Sequence, residues 1–356
     1  MNGCINKKFW EGKKVLVTGG AGFVGSNLCE FLIQYGAIVT VADNLERGTK
    51  DNLKNTIDKI EFVECDLMNL DNCLSVTKGQ DIVMNLAAKA CGVEYSVAHH
   101  GEMLMGNAVL GMNILEACRL NGVKKVLVVS SSCVYSDDAP TPTYEGDYIG
   151  IPEKVNEGYG WGKIMMEKQA MYYSKEYNMD IAIARPSNIY GVGDIYDGTK
   201  SHVIPSLINR ILKKRLSKDD RPLLIWGSGN QSRAFIHRAD VCCAFMLLVE
   251  HYACGDPVNV GHKNSTTIKE LACHICDICG VEKDFRFDLS KPEGTFKKSV
   301  SCEKLESVTG FVPKTSFSQG LRDMVIDCAR DFGQGEAFLA NIIKGAYCIP
   351  NPNFYV

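Results

Sequence analysis

Residues 14–26 read Lys-Val-Leu-Val-Thr-Gly-Gly-Ala-Gly-Phe-Val-Gly-Ser. The first five form a short apolar run, which is typical of a parallel strand buried on both faces. Gly19, Gly22 and Gly25 follow at the spacing G-x-x-G-x-x-G as a helix begins; they permit a tight bend, the approach of a pyrophosphate, and close helix packing. The stretch predicts a dinucleotide-binding turn with phosphates at the helix N-terminus, although a glycine-rich turn without a ligand has the same pattern.

The second predicted strand supports a dinucleotide. Residues 37–42 are apolar and end on Asp43, which lies about 20 residues after the glycines, where a carboxylate binds the hydroxyls of the adenosine ribose. Because a carboxylate repels a 2′-phosphate, Asp43 predicts NAD rather than NADP. Two points stay open: Arg47 is close enough in sequence to complicate that choice, and Asp43-Asn44 is also a common turn pair.

The composition is that of a globular protein with a large core, since 46% of the 356 residues are hydrophobic. Lysine and arginine are scattered and the net charge is −3, so no basic surface for nucleic acid or an acidic membrane is indicated. The longest apolar stretches have strand length, far below the ~20 residues of a membrane helix, and the order of a signal peptide is missing. We therefore expect a cytoplasmic protein that binds neither nucleic acid nor a membrane.

The sixteen cysteines are dispersed along the chain, which favours reduced, buried thiols over a disulfide framework. Cys273, Cys276 and Cys279 stand near His274, but their spacing is helical and no paired C-x-x-C follows. We expect these thiols to line the apolar face of a helix over residues 268–279, and we expect no metal site.

Strand-like and helix-like segments alternate with short links from residue 15 to residue 185. This alternation predicts an α/β fold, a Rossmann doubly wound parallel sheet. After Pro186 prolines interrupt the pattern, which indicates a smaller, mixed C-terminal lobe that binds the substrate. We expect a dinucleotide-binding domain over 1–186 and a mainly substrate-binding lobe over 187–356, with residues from about 235 to 260 returning to the first domain.

Two predicted helices, over residues 104–120 and 163–177, are apolar on more than one face and rich in methionine. Such a helix buries a second face, either within its own core or against another copy of the chain. We favour the second alternative and expect a homodimer.

Two segments carry candidate catalytic residues. Ser130-Ser131-Ser132-Cys133 begins at the end of a predicted strand, the edge where open α/β sheets bind ligands. Tyr159 and Lys163 stand four residues apart at the start of a predicted helix, so they share one face. A nearby ammonium stabilises a phenolate, which predicts that Lys163 lowers the pKa of Tyr159 toward neutrality.

A series of motifs connects these features. The motifs are Thr-Gly-Gly-Ala-Gly-Phe-Val-Gly (18–25), Cys-Asp-Leu (65–67), Asn-Leu-Ala-Ala-Lys (85–89), Ser-Ser-Ser-Cys-Val-Tyr (130–135), Tyr-Gly-Trp-Gly-Lys (159–163), Arg-Pro-Ser-Asn-Ile-Tyr-Gly (185–191) and Trp-Gly-Ser-Gly-Asn-Gln-Ser-Arg-Ala-Phe-Ile-His (226–237). From residue 13 to about residue 332 the chain resembles the extended short-chain dehydrogenase/reductase family of NAD-dependent nucleotide-sugar epimerases and dehydratases.

The resemblance implies roles for individual residues. Implied cofactor-binding residues are Gly19, Gly22, Phe23, Val24, Gly25, Asp43, Asn44, Asp66, Leu67, Ala87, Lys89, Tyr159 and Lys163, with Asp66 and Leu67 at the adenine. Implied catalytic residues are Ser131, Cys133, Tyr159, Lys163 and His202. Implied substrate-binding residues are Ser131, Ser132, Asn188, His202 and Arg233, with Asn188 and Arg233 at the diphosphate.

Within the family, the segment of Cys133 resembles both the GDP-fucose synthase and the GDP-mannose 3,5-epimerase branches. The segment of His202 resembles the fucose synthase branch, since the mannose epimerase uses a lysine near this position. A ketone at C4 makes the protons on C3 and C5 acidic, and inversion needs a base and an acid on opposite sides of the ring. We therefore expect an NAD-dependent epimerase of a nucleotide sugar, GDP-linked and a hexose or heptose. A fucose-synthase-like epimerase/reductase, a GDP-sugar 4-dehydrogenase and a non-catalytic sugar-nucleotide-binding protein stay open as alternatives.

Overall fold

The structure is a computed structural model that describes residues 3–196, 201–290 and 296–333. Its strands are β1 (Lys14–Thr18), β2 (Ile38–Asp43), β3 (Ile60–Glu64), β4 (Ile82–Asn85), β5 (Lys125–Val129), β6 (Asp180–Pro186), β7 (Asn188–Tyr190), β8 (Leu223–Trp226), β9 (Ser232–His237), β10 (Pro257–Val260), β11 (Ser265–Thr267), β12 (Phe285–Asp288) and β13 (Lys297–Lys298). Its helices are α1 (Lys7–Trp10), α2 (Phe23–Gln34), α3 (Leu70–Thr77), α4 (Val93–Ala98), α5 (His100–Leu120), α6 (Glu157–Tyr177), α7 (Val203–Ser217), α8 (Arg238–His251), α9 (Ile268–Cys279), α10 (Glu303–Thr309) and α11 (Phe317–Asp331).

The main sheet has seven parallel strands in the order β10-β6-β5-β4-β1-β2-β3. Successive side chains of a strand point to opposite faces, and β1 shows the consequence. Val15 and Val17 pack into one apolar core with α2 and α8, whereas Leu16 packs into a second core with α3, α5 and α6. Helices cover both faces of the sheet, so the predicted doubly wound Rossmann fold is confirmed.

A smaller, mixed lobe follows the main sheet. Its central strand β9 pairs in parallel with β7 and β13 and antiparallel with β11, while β8 and β12 form a separate parallel pair. Helices α7, α9 and α11 share one apolar core with these strands. The lobe carries Asn188, His202 and Arg233 of the residues predicted to bind the substrate, and Lys298 of β13 reaches Cys133 just beyond the carboxyl end of β5.

The segment after β9 packs with the main sheet. Helix α8 is buried along almost its whole length, and β10 pairs in parallel with β6 at the sheet edge. These contacts are compatible with a return of residues from about 235 to 260 to the first domain. The boundaries of the two domains stay a prediction, and residues 334–356 of the second one lie outside the described part of the chain.

Helix α9 illustrates how the cysteines are used. Thr267 and Glu270 form a reciprocal capping box at its start, and Gly280 ends it in the left-handed conformation. Cys276 and Cys279 are buried in the apolar core of the lobe, as predicted, whereas Cys273 is half-buried and lies outside that core. Among the described residues, no group of three His, Cys, Asp or Glu side chains is arranged to hold a metal ion. Nor does any helix in these ranges have the length and apolar character needed to cross a membrane.

Candidate active site

The glycine turn forms between the end of β1 and the start of α2. Gly19 has a φ of +67°, a left-handed conformation that strains residues with a side chain. A Cβ on Gly25 would collide with the Gly19 carbonyl oxygen, so the helix packs this closely only with glycine there. A Cβ on Gly22 would lie 3.1 Å from the same oxygen, in the path of any group that approaches the turn. The turn is therefore an open cradle of backbone N–H groups.

Asp43 is fixed against this turn. Its carboxylate accepts hydrogen bonds from the Ala21 N–H at 3.0 Å and from the Leu45 N–H at 2.8 Å. Burial raises the pKa of Asp43, and the two backbone hydrogen bonds lower it in part. Each carboxylate oxygen can accept a second bond, so the side chain still has capacity for ribose hydroxyls.

The turn and Asp43 line a cleft of about 230 Å³ that is open to solvent. The predicted cofactor residues on its wall are Gly19, Gly22, Phe23, Val24, Gly25, Asp43, Asn44, Leu67, Ala87 and Lys89. Asp66 is not on the wall: its carboxylate accepts a bond from the Met68 N–H at 2.9 Å in an exposed turn. A glycine cradle beside an anchored carboxylate fits the pyrophosphate and adenosine ribose of NAD.

Helix α6 places Tyr159 and Lys163 one turn apart. The Lys163 Nζ donates a hydrogen bond of 2.8 Å to the Val129 carbonyl at the end of β5, and it lies 5.5 Å from the centre of the Tyr159 ring. Burial lowers the pKa of Lys163 to about 8, although the Glu167 carboxylate opposes that shift. The predicted juxtaposition of the two side chains is present.

The prediction that Lys163 lowers the pKa of Tyr159 toward neutrality is wrong for the protein alone. Burial raises the pKa of Tyr159 well above its usual value, and proximity to Cys133 raises it further. A hydrogen bond with the Ser131 side chain and the Arg47 guanidinium lower it only in part. Desolvation of the phenolate is the largest effect. The Lys163 ammonium is directed to the Val129 carbonyl.

Ser131 and Cys133 share this corner with Tyr159. The Ser131 hydroxyl caps a short helical turn over 132–134 and accepts a hydrogen bond of 3.1 Å from the Cys133 N–H. Burial raises the pKa of the Cys133 thiol to about 12; the Glu153 carboxylate adds to this effect and the Lys298 ammonium opposes it. Ser132 is buried beside them. The structure therefore brings Ser131, Cys133, Tyr159 and Lys163 together.

The remaining predicted residues come from the second lobe. His202 caps α7, lines the large cleft and has its Nδ1 3.0 Å from the buried Asp194 carboxylate. Asn188 on β7 donates to the Ala234 carbonyl at 3.0 Å. Arg233 on β9 donates to the Ser232 carbonyl at 2.8 Å, and burial lowers its pKa while Glu153 and Cys133 raise it.

Two charged residues at this corner were not predicted. The Glu153 carboxylate is buried beside Cys133, and the Lys298 ammonium forms an ion pair with it. Neither has a sequence signal of its own, because Glu153 stands in an irregular loop and Lys298 in a two-residue strand. The pairing of β13 with β9 and the parallel bridge between Thr143 and Val300 bring Lys298 to this place.

The geometry agrees with comparisons to known proteins. Residues 15–261 match the NAD dependent epimerase/dehydratase family. The chain belongs to this family. It is 34% identical to GDP-L-fucose synthase of Sinorhizobium fredii over 87% of this chain and 94% of that protein. It is 29% identical to GDP-mannose 3,5-epimerase 1 of Oryza sativa subsp. japonica, over 89% of this chain and 82% of the relative.

A solved structure shows the same fold with the cofactor. UDP-glucose 4-epimerase of Thermus thermophilus in complex with NAD superposes with a TM-score of 0.76 and 26% identity, over 89% of this chain and 99% of that one. This epimerase/dehydratase family member is therefore an enzyme of the nucleotide-sugar epimerase and oxidoreductase class, and its cofactor is NAD. The predictions of family, fold, enzyme class and cofactor are confirmed, whereas the roles of the individual residues stay proposals.

Proposed function

We propose that this enzyme is an epimerase of a GDP-linked hexose or heptose that oxidises C4 transiently, exchanges protons at C3 or C5, and reduces C4 again. One observation carries the proposal: a thiol, Cys133, stands beside the Ser131 and Tyr159 pair expected to act on the C4 hydroxyl. A thiol at that corner has no task in a simple C4 oxidation. It is an appropriate acid or base for a carbon next to a ketone.

The chain's own residues would act as follows. Ser131 orients the C4 hydroxyl, Tyr159 takes its proton, and Lys163 binds a ribose hydroxyl of the cofactor. Bound NAD would supply hydride transfer from and back to C4, and a positive charge that favours the Tyr159 phenolate. Asn188 and Arg233 contact the diphosphate of the substrate, where the Arg233 guanidinium can donate charge-assisted hydrogen bonds.

His202 is the proposed partner of Cys133 in the proton exchange. The Asp194 carboxylate accepts from Nδ1–H, an assignment of the tautomer that leaves Nε2 as the nitrogen for proton transfer. The carboxylate also holds the ring in one orientation, as in other acid–base sites. Inversion needs a proton donor on one side of the sugar ring and a proton acceptor on the other. Cys133 and His202 come from different lobes, which suits this requirement.

A fucose-synthase-like reaction, in which a 4-keto-6-deoxy sugar is epimerised and then reduced, is the second candidate. The 34% identity to GDP-L-fucose synthase favours it. The Asp43 carboxylate favours the redox-neutral reaction, since it disfavours the 2′-phosphate of NADPH. A 4-dehydrogenase and a non-catalytic binding protein have no observation of their own in support.

Deuterium exchange tests these alternatives. The purified enzyme is incubated in D₂O with NAD and GDP-mannose, then with UDP-, CDP- and dTDP-sugars, and C3 and C5 are followed by NMR. We expect incorporation at C3 or C5 without a lasting change in nicotinamide absorbance, whereas a gain of reduced cofactor indicates a dehydrogenase. In a parallel incubation with NADPH and a GDP-linked 4-keto-6-deoxy sugar, a stoichiometric loss of reduced cofactor indicates the second candidate. Turnover without exchange, or neither across the whole panel, would contradict the proposal.

We also propose a homodimer formed by α5 and α6. The two helices pack against each other, and both carry exposed large side chains, among them Met105 on α5 and Trp161, Met165 and Tyr172 on α6. Sedimentation velocity should show a dimer, and Met165→Glu should shift it toward monomer. The matched control is Leu289→Glu, which changes an exposed apolar side chain on the second lobe.

A cytoplasmic location is part of the same proposal. The fifteen cysteines in the described residues are all free thiols, which suits a reducing compartment. Fractionation of cells that produce the tagged chain should recover it with cytoplasmic markers, and recovery with a secreted or periplasmic fraction would contradict this.

A further inference from the structure

Three side chains from distant parts of the chain meet at one buried point. The Lys298 Nζ lies 3.6 Å from the Cys133 Sγ and forms an ion pair with the Glu153 carboxylate. The side chain of Glu153 is 5% exposed and that of Lys298 is 17% exposed. The ammonium is therefore shared between a carboxylate and a sulfur in a poorly solvated place, where charges interact strongly.

Each member of the cluster is held by a different element. The Glu153 N–H donates to the Cys133 carbonyl at 3.2 Å, and Asn156 binds the Glu153 carboxylate, so this acid is fixed to the loop before α6. Lys298 belongs to β13 in the second lobe, where it stands in register with Arg233 of β9. The contact between Lys298 and Cys133 therefore joins the substrate lobe to the catalytic corner.

The charged and titratable groups that interact with the Cys133 thiol are Glu153, Lys298, Arg233, Tyr159 and Lys163, with the Ser131 hydroxyl as a hydrogen-bond partner. Burial and Glu153 raise the thiol pKa, and Lys298 lowers it. Removal of Glu153 should therefore lower the pKa of the Cys133 thiol, and removal of Lys298 should raise it. This opposition separates an electrostatic role from a merely structural one.

We propose that Lys298, held in place by Glu153, is a positioning residue that stabilises the thiolate form of Cys133 for proton exchange on the sugar. The proposal rests on the function proposed above. Formation of the thiolate releases the thiol proton to water. The thiolate then takes a proton from the carbon next to the C4 ketone: the C–H bond breaks, an S–H bond forms, and the electron pair passes to the enolate oxygen. The ion pair of Lys298 with Glu153 keeps its charge throughout.

Alkylation of Cys133 tests the proposal without any sugar nucleotide. The purified full chain is treated with iodoacetamide at a series of mildly alkaline pH values, and the peptide that contains Cys133 is quantified by mass spectrometry. A rise of one unit in thiol pKa lowers the thiolate fraction tenfold and raises thiolate nucleophilicity about threefold, so the net rate falls about threefold. An opposite charge at this distance shifts a pKa by about 1–3 units.

We expect Lys298→Met to slow Cys133 alkylation at least about threefold and Glu153→Gln to accelerate it by a similar factor. Lys298→Arg should restore most of the rate because it keeps the charge. Lys297→Met, which removes the same charge from the exposed neighbouring residue of β13, should leave the rate unchanged.

Rates that change in the same direction in Lys298→Met and Glu153→Gln, or that do not change in either, would overturn the proposal. The experiment contains no substrate, so an absence of epimerase turnover does not affect it. Conversely, the expected alkylation rates in an enzyme that shows no exchange at C3 or C5 would contradict only the proposed function.

Discussion

The Lys163 Nζ donates a hydrogen bond of 2.8 Å to the Val129 carbonyl, which joins helix α6 to the carboxyl end of strand β5. This bond holds the lysine beneath the Tyr159 ring and at the edge of the main sheet where ligands bind. The hydrogen-bond partner of this buried ammonium is thus a neutral carbonyl and not a carboxylate. The site therefore keeps a cation in place at some cost to stability, and that cost can be measured.

The first prediction concerns Lys163 and pH. Its pKa in the folded chain is about 8, below the usual 10.5, so between these values the unfolded chain binds more protons than the folded one. The free energy of unfolding contributed by this residue therefore rises as the pH increases from about 8 to 10.5. Urea denaturation at several pH values should show the wild type gaining stability relative to Lys163→Met over this range. A constant difference between the two would contradict the low pKa.

The second prediction concerns Tyr159. Tyr159→Phe removes the hydroxyl that we assign to proton transfer at O4, so kcat should fall by about 10²–10⁴-fold with little change in substrate binding. The matched control is Tyr177→Phe, an exposed tyrosine at the end of the same helix, which should retain activity. Steady-state kinetics and a thermal-shift titration measure the two effects. A Tyr159→Phe enzyme with full turnover would remove this residue from the mechanism.

The third prediction concerns Asp43 and the choice of cofactor. Asp43→Ala removes the carboxylate held by the Ala21 and Leu45 N–H groups, so NAD affinity should fall by about tenfold and the preference for NAD over NADP should narrow. Calorimetric titration of both dinucleotides measures this. Asp58→Ala, at an exposed acid outside the cleft, is the control. Tighter binding of NADP than of NAD by the wild type would show that Arg47, not Asp43, decides the choice.

The fourth prediction concerns the buried ion pair of Arg185 and Glu167. Arg185 donates from Nε to Oε1 at 2.8 Å and from Nη2 to Oε2 at 2.7 Å, and both side chains are about 3% exposed or less. Glu167→Ala leaves the guanidinium without this partner and should lower the free energy of unfolding by about 3–5 kcal/mol. The double variant Arg185→Met with Glu167→Leu should lose less, since it leaves no charge behind. Equal losses in the single and double variants would show that packing, not charge, dominates at this position.

Local features of the chain were predictable because near neighbours produce them. The glycine turn after β1 needs only a strand, three glycines and a helix start, and Tyr159 and Lys163 share a face because helical geometry places residues four apart together. The alternation of apolar segments likewise predicts which strands enter a parallel sheet. Asp43 was predictable for the same reason, since its distance from the glycines follows from the length of one helix and one strand.

Long-range relationships needed the tertiary structure. Lys298 reaches Glu153 across 145 residues of sequence, through a two-residue strand that no pattern reveals. The pKa of Tyr159 rises because burial of the phenolate outweighs nearby cations, and burial depends on everything that packs around it. The sequence by itself therefore determined the alternating strands and helices of the main sheet, the cofactor turn and the catalytic candidates, whose causes are local. Tertiary packing decided the pKa values and ion pairs of those candidates, because desolvation and ion pairing arise only when distant segments meet.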